Sequence, residues 1–250
     1  MKLLIAIATY KRIEKLQRLL NSLFEQTYKD FEIVIVCDNK DYETENYLKG
    51  PNMYKLYDVI VQEEQKFVIG AWNRAVKECF FDSLLEWSEE KPRRDHFDGF
   101  VGLVDDVELY KDTLEVAVRE FKSVYNKSTD GVLGFHQECP GHEEIYSFKW
   151  YGQTLIGRDF IERYQTVDYQ ICCPMYRWSH QDEEMWQYAS SLGKFHQCRK
   201  AILKHYHPSF IKEEIDETHN LVRYGINSPR EHDLKLFNER QKLGLIWPLA

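Results

Sequence analysis

The sequence predicts an α/β protein with a mostly parallel β-sheet flanked by helices. Continuous apolar runs, typical of strands covered on both faces, alternate with segments whose apolar residues recur at helical spacing. Such alternation implies right-handed crossovers between parallel strands. The chain has 250 residues, of which 43% are hydrophobic and 30% charged, so a sizeable core can form and a disordered or fibrous chain is excluded.

The first half of the chain supplies the clearest elements. Strands are predicted at residues 2–8, 31–37, 54–61 and 97–104, and helices from residue 13, over 68–87 and over about 113–125. The second half predicts strands at 132–137, 145–150 and 194–207, and helices at 155–164, 180–192 and 231–242. Gly193 stands in the C-cap position of the helix at 180–192. Because no repeat or Pro/Gly/Ser-rich linker divides the chain, we expect one domain over residues 1–250.

The net charge, the cysteine pattern and the hydropathy of the chain restrict which partners it can bind and in which cell compartment it is expected. The formal net charge of −8 gives no general basic footprint for nucleic acid or an anionic membrane. The six cysteines form no CxxC pair, which favours reduced thiols. The N-terminal apolar run lacks a small-residue cleavage site, and no stretch approaches about 18 apolar residues. We therefore expect a cytoplasmic protein without a membrane span.

Polar side chains follow three of the predicted strands, at the point where each strand ends. In open parallel sheets, ligands bind in the crevice outside these carboxyl ends. The polar groups are Thr9, Tyr10 and Arg12 after the first strand, Asp38 after the second, and Asp105, Asp106 and Glu108 after the strand at 97–104.

These segments resemble the family-2 glycosyltransferases of the GT-A fold. Residues 5–41 (IAIATYKRIEKLQRLLNSLFEQTYKDFEIVIVCDNKD) look like the family's opening, and residues 68–78 (VIGAWNRAVKE) resemble its next helix. The resemblance covers about residues 3–208 and implies a Rossmann-like central sheet with a smaller acceptor-side region. It also implies a nucleotide-sugar-binding half at 1–110 and an acceptor and catalytic half at 111–208. It assigns no role to the C-terminal extension, 209–250.

The resemblance implies a donor site that accepts a UDP- or GDP-sugar. Thr9, Tyr10, Arg12, Asp38, Asn73 and Asp105 are expected to bind the donor and to line one pocket. Thr9 and Asp38 are expected to approach the base, and Asp105 the ribose or a metal.

A divalent cation, Mn²⁺ or Mg²⁺, is the implied cofactor, because carboxylate-held metal neutralises a nucleoside diphosphate leaving group. Asp105 and Asp106 fall where the family has its DXD motif, with Asp106 the best candidate ligand and Glu108 an alternative. Val104 stands in place of a possible first Asp, and adjacent acids after a strand also cap helices. A late His in this fold often contacts the metal or the diphosphate. His205 and His207 share one strand face, and either could be that residue.

The resemblance also implies a catalytic base. Residues 178–186 (WSHQDEEMW) resemble the family's acidic helix, where Asp182 matches the base and Gln181 replaces the usual Glu. A helix N-terminus favours the ionised carboxylate that a base needs, although the same setting suits simple helix capping.

The implied activity is metal-dependent, inverting transfer of a sugar to a glycan or another hydroxyl-bearing acceptor. A non-catalytic nucleotide- or sugar-binding module is the alternative that Val104 and Gln181 keep open. A sugar-phosphate nucleotidyltransferase is less favoured, because residues 8–12 (ATYKR) contain no glycine that would cradle a phosphate.

Overall fold

The computed structural model describes residues 1–38, 40–50, 56–64, 66–81, 97–142, 152–165, 167–223 and 227–248. Within these ranges one eight-stranded sheet has the order β3-β2-β1-β4-β7-β6-β8-β5. The strands are β1 (Leu3–Thr9), β2 (Phe31–Asp38), β3 (Leu56–Gln62), β4 (Gly99–Val104), β5 (Val107–Leu109), β6 (Val132–Glu138), β7 (Thr154–Gly157) and β8 (Phe195–His205).

Helices cover both faces of the sheet. They are α1 (Ile13–Phe24), α2 (Tyr42–Leu48), α3 (Phe67–Ala75), α4 (Thr113–Val124), α5 (Arg158–Phe160), α6 (Gln181–Ser191), α7 (Glu217–Arg223) and α8 (Pro229–Lys242). Wider π-helical turns continue α3 through Val76–Phe81 and α5 through Ile161–Gln165. No helix of the described ranges has both the length and the apolar character needed to cross a bilayer.

The sheet is mostly parallel, as the sequence predicts. Strands β1 to β4 are parallel to one another, and β6 is parallel to β8. Only β7 and β5 run against the strands beside them. Six of the eight strands in this described sheet therefore share one direction, and the ends of β1, β2 and β4 meet at one edge.

The continuous apolar runs reflect burial on both faces of the sheet. Leu4 and Ala6 of β1 join the core beneath α3, whereas Leu3, Ile5 and Ile7 join the core beneath α1 and α4. Successive side chains of a strand point to opposite faces, so a strand covered on both sides cannot alternate apolar with polar residues. This double burial fixes β1 at the centre of the sheet and its polar C-terminal end at the edge.

The predicted helix at 155–164 is wrong in its first part. Residues Thr154–Gly157 form β7, which pairs antiparallel with both β4 and β6, and helix begins only at Arg158. The helical spacing of the apolar residues is real, but pairing on both sides of β7 overrides this local preference. The predicted strand at 145–150, and the predicted helix beyond residue 81, lie outside the described residues.

Gly157 marks a close approach that no side chain fits. A Cβ atom at this position would lie 2.0 Å from the Thr129 carbonyl oxygen and 2.9 Å from the Phe121 ring. We expect Gly157→Ala to lower the free energy of unfolding by about 1–3 kcal/mol, because backbone must move. Urea unfolding would measure the loss, with Gly152→Ala as control, since its Cβ would meet no described atom closer than 3.5 Å. Equal unfolding midpoints for the two variants would contradict the prediction.

Candidate active site

A cavity opens at the carboxyl ends of β1, β2 and β4 and collects residues from distant parts of the chain. The first half contributes Thr9, Tyr10, Arg12, Asp38, Gln62, Asp105 and Asp106. The second half contributes Gln137, Gln153, Gln181, Asp182, His205 and His207, and the C-terminal extension contributes Thr218, His219 and Val222. The cavity therefore unites the sequence-predicted carboxylates, which lie far apart in the chain.

Asp105 is held entirely by protein groups. Its carboxylate accepts a hydrogen bond from Thr9 Oγ1 at 2.9 Å and another from Arg12 Nη1 at 2.8 Å. Burial raises the pKa of Asp105, and the neighbouring Arg12 cation acts in the opposite direction. The hydrogen bond between Thr9 and Asp105 thus links the end of β1 to the end of β4. These two strand ends form the side of the cavity that is called its floor below.

Arg12 connects this floor to the C-terminal extension. Its Nε lies 2.9 Å from Asp216 Oδ2, and its Nη2 lies 2.9 Å from the ring nitrogens of His219. Burial lowers the pKa of Arg12, but Asp105, Asp106 and Asp216 outweigh it and raise that pKa. Arg12 lines the cavity as a residue whose charge is balanced by protein carboxylates.

Asp106 is the carboxylate best suited to a cation. It is 5% exposed, and its Oδ1 accepts no hydrogen bond from the described residues. Nε2 of His205 lies 3.4 Å from Oδ1, and Nε2 of His219 lies 3.6 Å from Oδ2. Burial would raise the pKa of Asp106, but the neighbouring His205, His219 and Arg12 hold it well below its usual range. An ionised carboxylate with an unused oxygen is a chemically suitable metal ligand.

Of the two predicted histidines, His205 is the one that faces Asp106. Its Nδ1 lies 2.9 Å from Gln137 Oε1, which leaves Nε2 toward Asp106 in the orientation that metal-binding imidazoles adopt. His207 instead accepts a hydrogen bond from the Ser209 amide and lies 3.4 Å from Arg223 Nη2. Burial, followed by His205 and Arg223, lowers the pKa of His207 to about 3.

Glu108, the alternative metal ligand, does not line the cavity. Its carboxylate accepts hydrogen bonds from Lys204 Nζ at 2.8 Å and from the Tyr206 hydroxyl. Among the described residues, no group of three or more His, Cys, Asp and Glu side chains is arranged to hold a metal. Asp106 and His205 fit as two protein ligands, a number that suits a cation whose other ligands are substrate phosphates and waters.

The prediction that Asn73 lines the cavity is wrong. Its Oδ1 accepts hydrogen bonds from the amides of Ile171 and Cys172 at 3.0 and 2.9 Å, and its Nδ2 donates to the Cys172 carbonyl at 2.9 Å. This buried amide fixes the chain at 171–172. Helix α3 instead presents Phe67, Val68, Ala71 and Trp72 to the cavity.

Asp38 lines the cavity from the end of β2. Its carboxylate accepts a hydrogen bond from Gln62 Nε2 at 2.9 Å, and burial raises the pKa of Asp38 to about 6. Tyr10 lines the cavity nearby, and its carbonyl accepts a hydrogen bond from Thr218 Oγ1 at 3.1 Å.

Asp182 stands in the first turn of α6, where its carboxylate lines the cavity. Burial raises the pKa of Asp182, against the effect of the Glu183 amide and the charge of His180. Buried polar atoms without a described hydrogen-bond partner line the same cavity: Gln137 Nε2, Gln153 Oε1 and Gln181 Oε1. A carboxylate of raised pKa among such groups is suited to accept a proton from a bound hydroxyl.

The C-terminal extension holds the loop before α6. Asp233 is fully buried and accepts hydrogen bonds from the amides of Arg177, Trp178 and Ser179, the shortest at 2.7 Å. Trp178 and Ser179 line the cavity directly before the Asp182 helix. The sequence reasoning missed Asp216, His219 and Asp233, because the segment that carries them lies beyond the resemblance.

A sequence profile of the family described as Glycosyl transferase family 2 matches residues 4–183. A search of curated proteins gave no match.

Solved structures share the fold at low sequence identity. S. aureus TarS (residues 1–349) superposes with a TM-score of 0.60 and 15% identity, over 88% of this chain and 68% of that one. The same TarS fragment in complex with UDP-GlcNAc gives 0.56 and 14%, over 98% and 74%. Mannosyltransferase PcManGT from Pyrobaculum calidifontis, in complex with GDP-Man and Mn²⁺, gives 0.57 and 12%, over 82% of this chain and 56% of that one.

Proposed function

Since the chain belongs to glycosyl transferase family 2, we propose that it transfers a sugar from a nucleoside-diphosphate sugar to a hydroxyl group of an acceptor. The observation that carries this proposal is one cavity that brings together Asp38, Asp106 and Asp182. The three carboxylates suit different roles, namely hydrogen bonding to a base, holding a cation at the diphosphate, and removing a proton. Donors of this class, UDP-GlcNAc and GDP-Man, are bound in two of the similar structures.

In this proposal, three successive segments of the chain have different roles. Residues 1–110 bind the donor, residues 111–208 supply Asp182 and the acceptor side, and residues 209–250 hold the two together. The contacts of Asp216 with Arg12 and of Asp233 with the loop at 177–179 support a single functional unit. The acceptor we propose is a glycan or another molecule with a free hydroxyl.

Asp182 acts as the general base in this proposal. The acceptor hydroxyl binds beside its carboxylate and loses its proton to it while the oxygen attacks the anomeric carbon. The bond from that carbon to the diphosphate oxygen breaks on the opposite side, so the anomeric configuration inverts. The cavity holds both reactants in line, and such positioning is itself a large part of the rate enhancement.

Asp106 and His205 would hold a divalent cation, Mn²⁺ or Mg²⁺. When bound, the cation neutralises the charge of the diphosphate as it leaves. Arg12 does not replace the cation in this role, because its charge is already balanced by Asp105 and Asp216. Arg12 instead holds the ends of β1 and β4 and the C-terminal extension together.

Asp106→Asn tests the cation site. We expect the variant to fold normally but to lose the Mn²⁺-dependent part of nucleoside diphosphate binding, because a neutral amide is a poor ligand for a hard cation. Isothermal titration with UDP and GDP, with and without Mn²⁺, measures the effect, and thermal melting controls for folding. Glu108→Gln is the matched control, since Glu108 lies outside the cavity. Equal Mn²⁺ enhancement in wild type and Asp106→Asn would contradict the assignment.

A screen of nucleotide-sugar hydrolysis, with and without Mn²⁺, tests the activity itself. Slow release of nucleoside diphosphate and free sugar from one donor class is the expected result. An acceptor should accelerate release of the nucleoside diphosphate and receive the sugar itself. Tight nucleotide binding without hydrolysis or transfer of any donor would favour a non-catalytic binding module.

A further inference from the structure

At the ends of β2 and β3, the cavity carries two neighbouring side chains that can accept hydrogen bonds. Asp38 and Gln62 line it and are 5% and 3% exposed. Gln62 Nε2 donates to Asp38 Oδ1 at 2.9 Å. This bond orients the amide group, so that its oxygen, Oε1, is not the atom that contacts Asp38. Oε1 is buried and accepts no hydrogen bond from the described part of the chain. A buried acceptor without a donor is unfavourable, so a ligand that brings a donor here gains affinity.

The walls around this pair are apolar. Val36 lies two residues before Asp38 on the same strand face, and Ala8, Phe67 and Val68 line the same cavity. Phe67 has φ +53, a left-handed backbone conformation that is costly for a bulky side chain. Strain of this kind concentrates at ligand sites, where the surrounding structure maintains it. Apolar walls with a polar edge fit a planar heterocycle that hydrogen-bonds through its rim.

The nucleobases differ in what their rims offer to two adjacent acceptors. Guanine presents two neighbouring donors, the ring N1–H and the exocyclic N2 amino group. Uracil presents a single N3–H between two carbonyl oxygens. Adenine and cytosine place an acceptor ring nitrogen beside their amino group, and this nitrogen would face another acceptor.

We propose that Gln62, beside Asp38, makes guanosine diphosphate sugars the preferred donors of this site. Asp38 accepts from N1–H and Gln62 Oε1 accepts from the N2 amino group. The terminal torsion of a glutamine is broad, so a tilt of the amide turns Oε1 toward the cavity while Nε2 remains near Asp38. The inference rests on the proposed function, since it names the base of the same donor.

Binding of diphosphates that differ only in the base tests the proposal. GDP, inosine diphosphate and UDP are titrated calorimetrically with Mn²⁺ at about pH 8, where Asp38, with a pKa of about 6, is ionised. Inosine diphosphate keeps N1–H but lacks the N2 amino group. GDP should therefore bind about 10- to 100-fold more tightly than inosine diphosphate and UDP. This ratio of dissociation constants corresponds to the free-energy cost of leaving one buried acceptor without a hydrogen bond.

Gln62→Met keeps the length of the side chain and removes Oε1. In this variant the preference for GDP over inosine diphosphate should fall to within about 2-fold, with unchanged thermal melting as the folding control. Gln241→Met, at a glutamine outside the cavity, should keep the preference. Stronger binding of UDP than of GDP by the wild type, or an unchanged GDP preference in Gln62→Met, overturns the proposal. Failure of every nucleoside diphosphate to bind would instead overturn the proposed function.

Discussion

Asp182→Asn is expected to lower the rate of sugar transfer by about 10²- to 10⁴-fold, the usual contribution of a general base. Asparagine keeps the shape, and its amide oxygen can still accept from the backbone amides of the first turn of α6, so thermal melting should stay unchanged. Donor affinity should also persist, because Asp38 and Asp106 lie elsewhere in the cavity. Transfer kinetics combined with nucleotide titration separate these effects. Glu183→Gln is the matched control, since Glu183 neighbours Asp182 in α6 but does not line the cavity.

The pH dependence of transfer provides an independent readout of the same residue. Because burial raises the pKa of Asp182, the base is neutralised at a higher pH than an ordinary aspartate. At saturating donor and acceptor, the rate should fall as the pH drops through this raised pKa. The acid limb should vanish in Asp182→Asn. An unchanged limb would assign the titration to another group, and transfer at the wild-type rate would leave Asp182 with a structural role only.

Arg240→Met is expected to lower the free energy of unfolding by about 3–5 kcal/mol. Arg240 Nε donates to Glu184 Oε1 at 2.7 Å, and Nη2 donates to Oε2 at 3.2 Å. Glu184 is fully buried, so the variant leaves a carboxylate without its cation. The Tyr176 hydroxyl and the Trp247 amide still donate to it, but neither carries a charge.

A double variant isolates the cause of that loss. In Glu184→Gln with Arg240→Met, the buried charge is gone. The single amide oxygen can still accept from the Trp247 amide, while the amide nitrogen donates to the Tyr176 hydroxyl. The double variant should therefore be more stable than Arg240→Met alone, by urea unfolding. A double variant that is less stable than Arg240→Met would show that packing, rather than the unpaired charge, dominates.

Strands β1, β2 and β4 could be predicted because each is buried on both faces. The runs around Ile5, Ile33 and Val101 have no polar interruption, and the sheet gives them neighbours on each side. The predicted helix at 155–164 failed at Thr154–Gly157 because strand pairing there depends on β4 and β6, which are distant in sequence. The short helices α2 and α7 have too few turns for apolar periodicity to identify them.

The candidate site could be predicted wherever a polar residue follows a buried strand. Asp38, Asp105 and Asp106 reach the cavity for this reason, and Asp182 reaches it from the start of a helix. Asn73 could not be placed correctly, because its partners are backbone groups at 171–172 in an irregular segment. No sequence pattern around Gln62 or His219 indicates a site residue. Only the folded structure shows that these two side chains lie beside carboxylates.

The pairing of Arg12 with Asp216 spans 204 residues of the chain. During synthesis Arg12 is therefore made long before its partner Asp216 leaves the ribosome, and contacts of such high sequence separation form late. The newly made sheet would present its acidic edge to solvent while Asp216, His219 and Asp233 are still absent. A chain cut at residue 183, where the family match ends, would lack these partners permanently, together with β8 and most of α6.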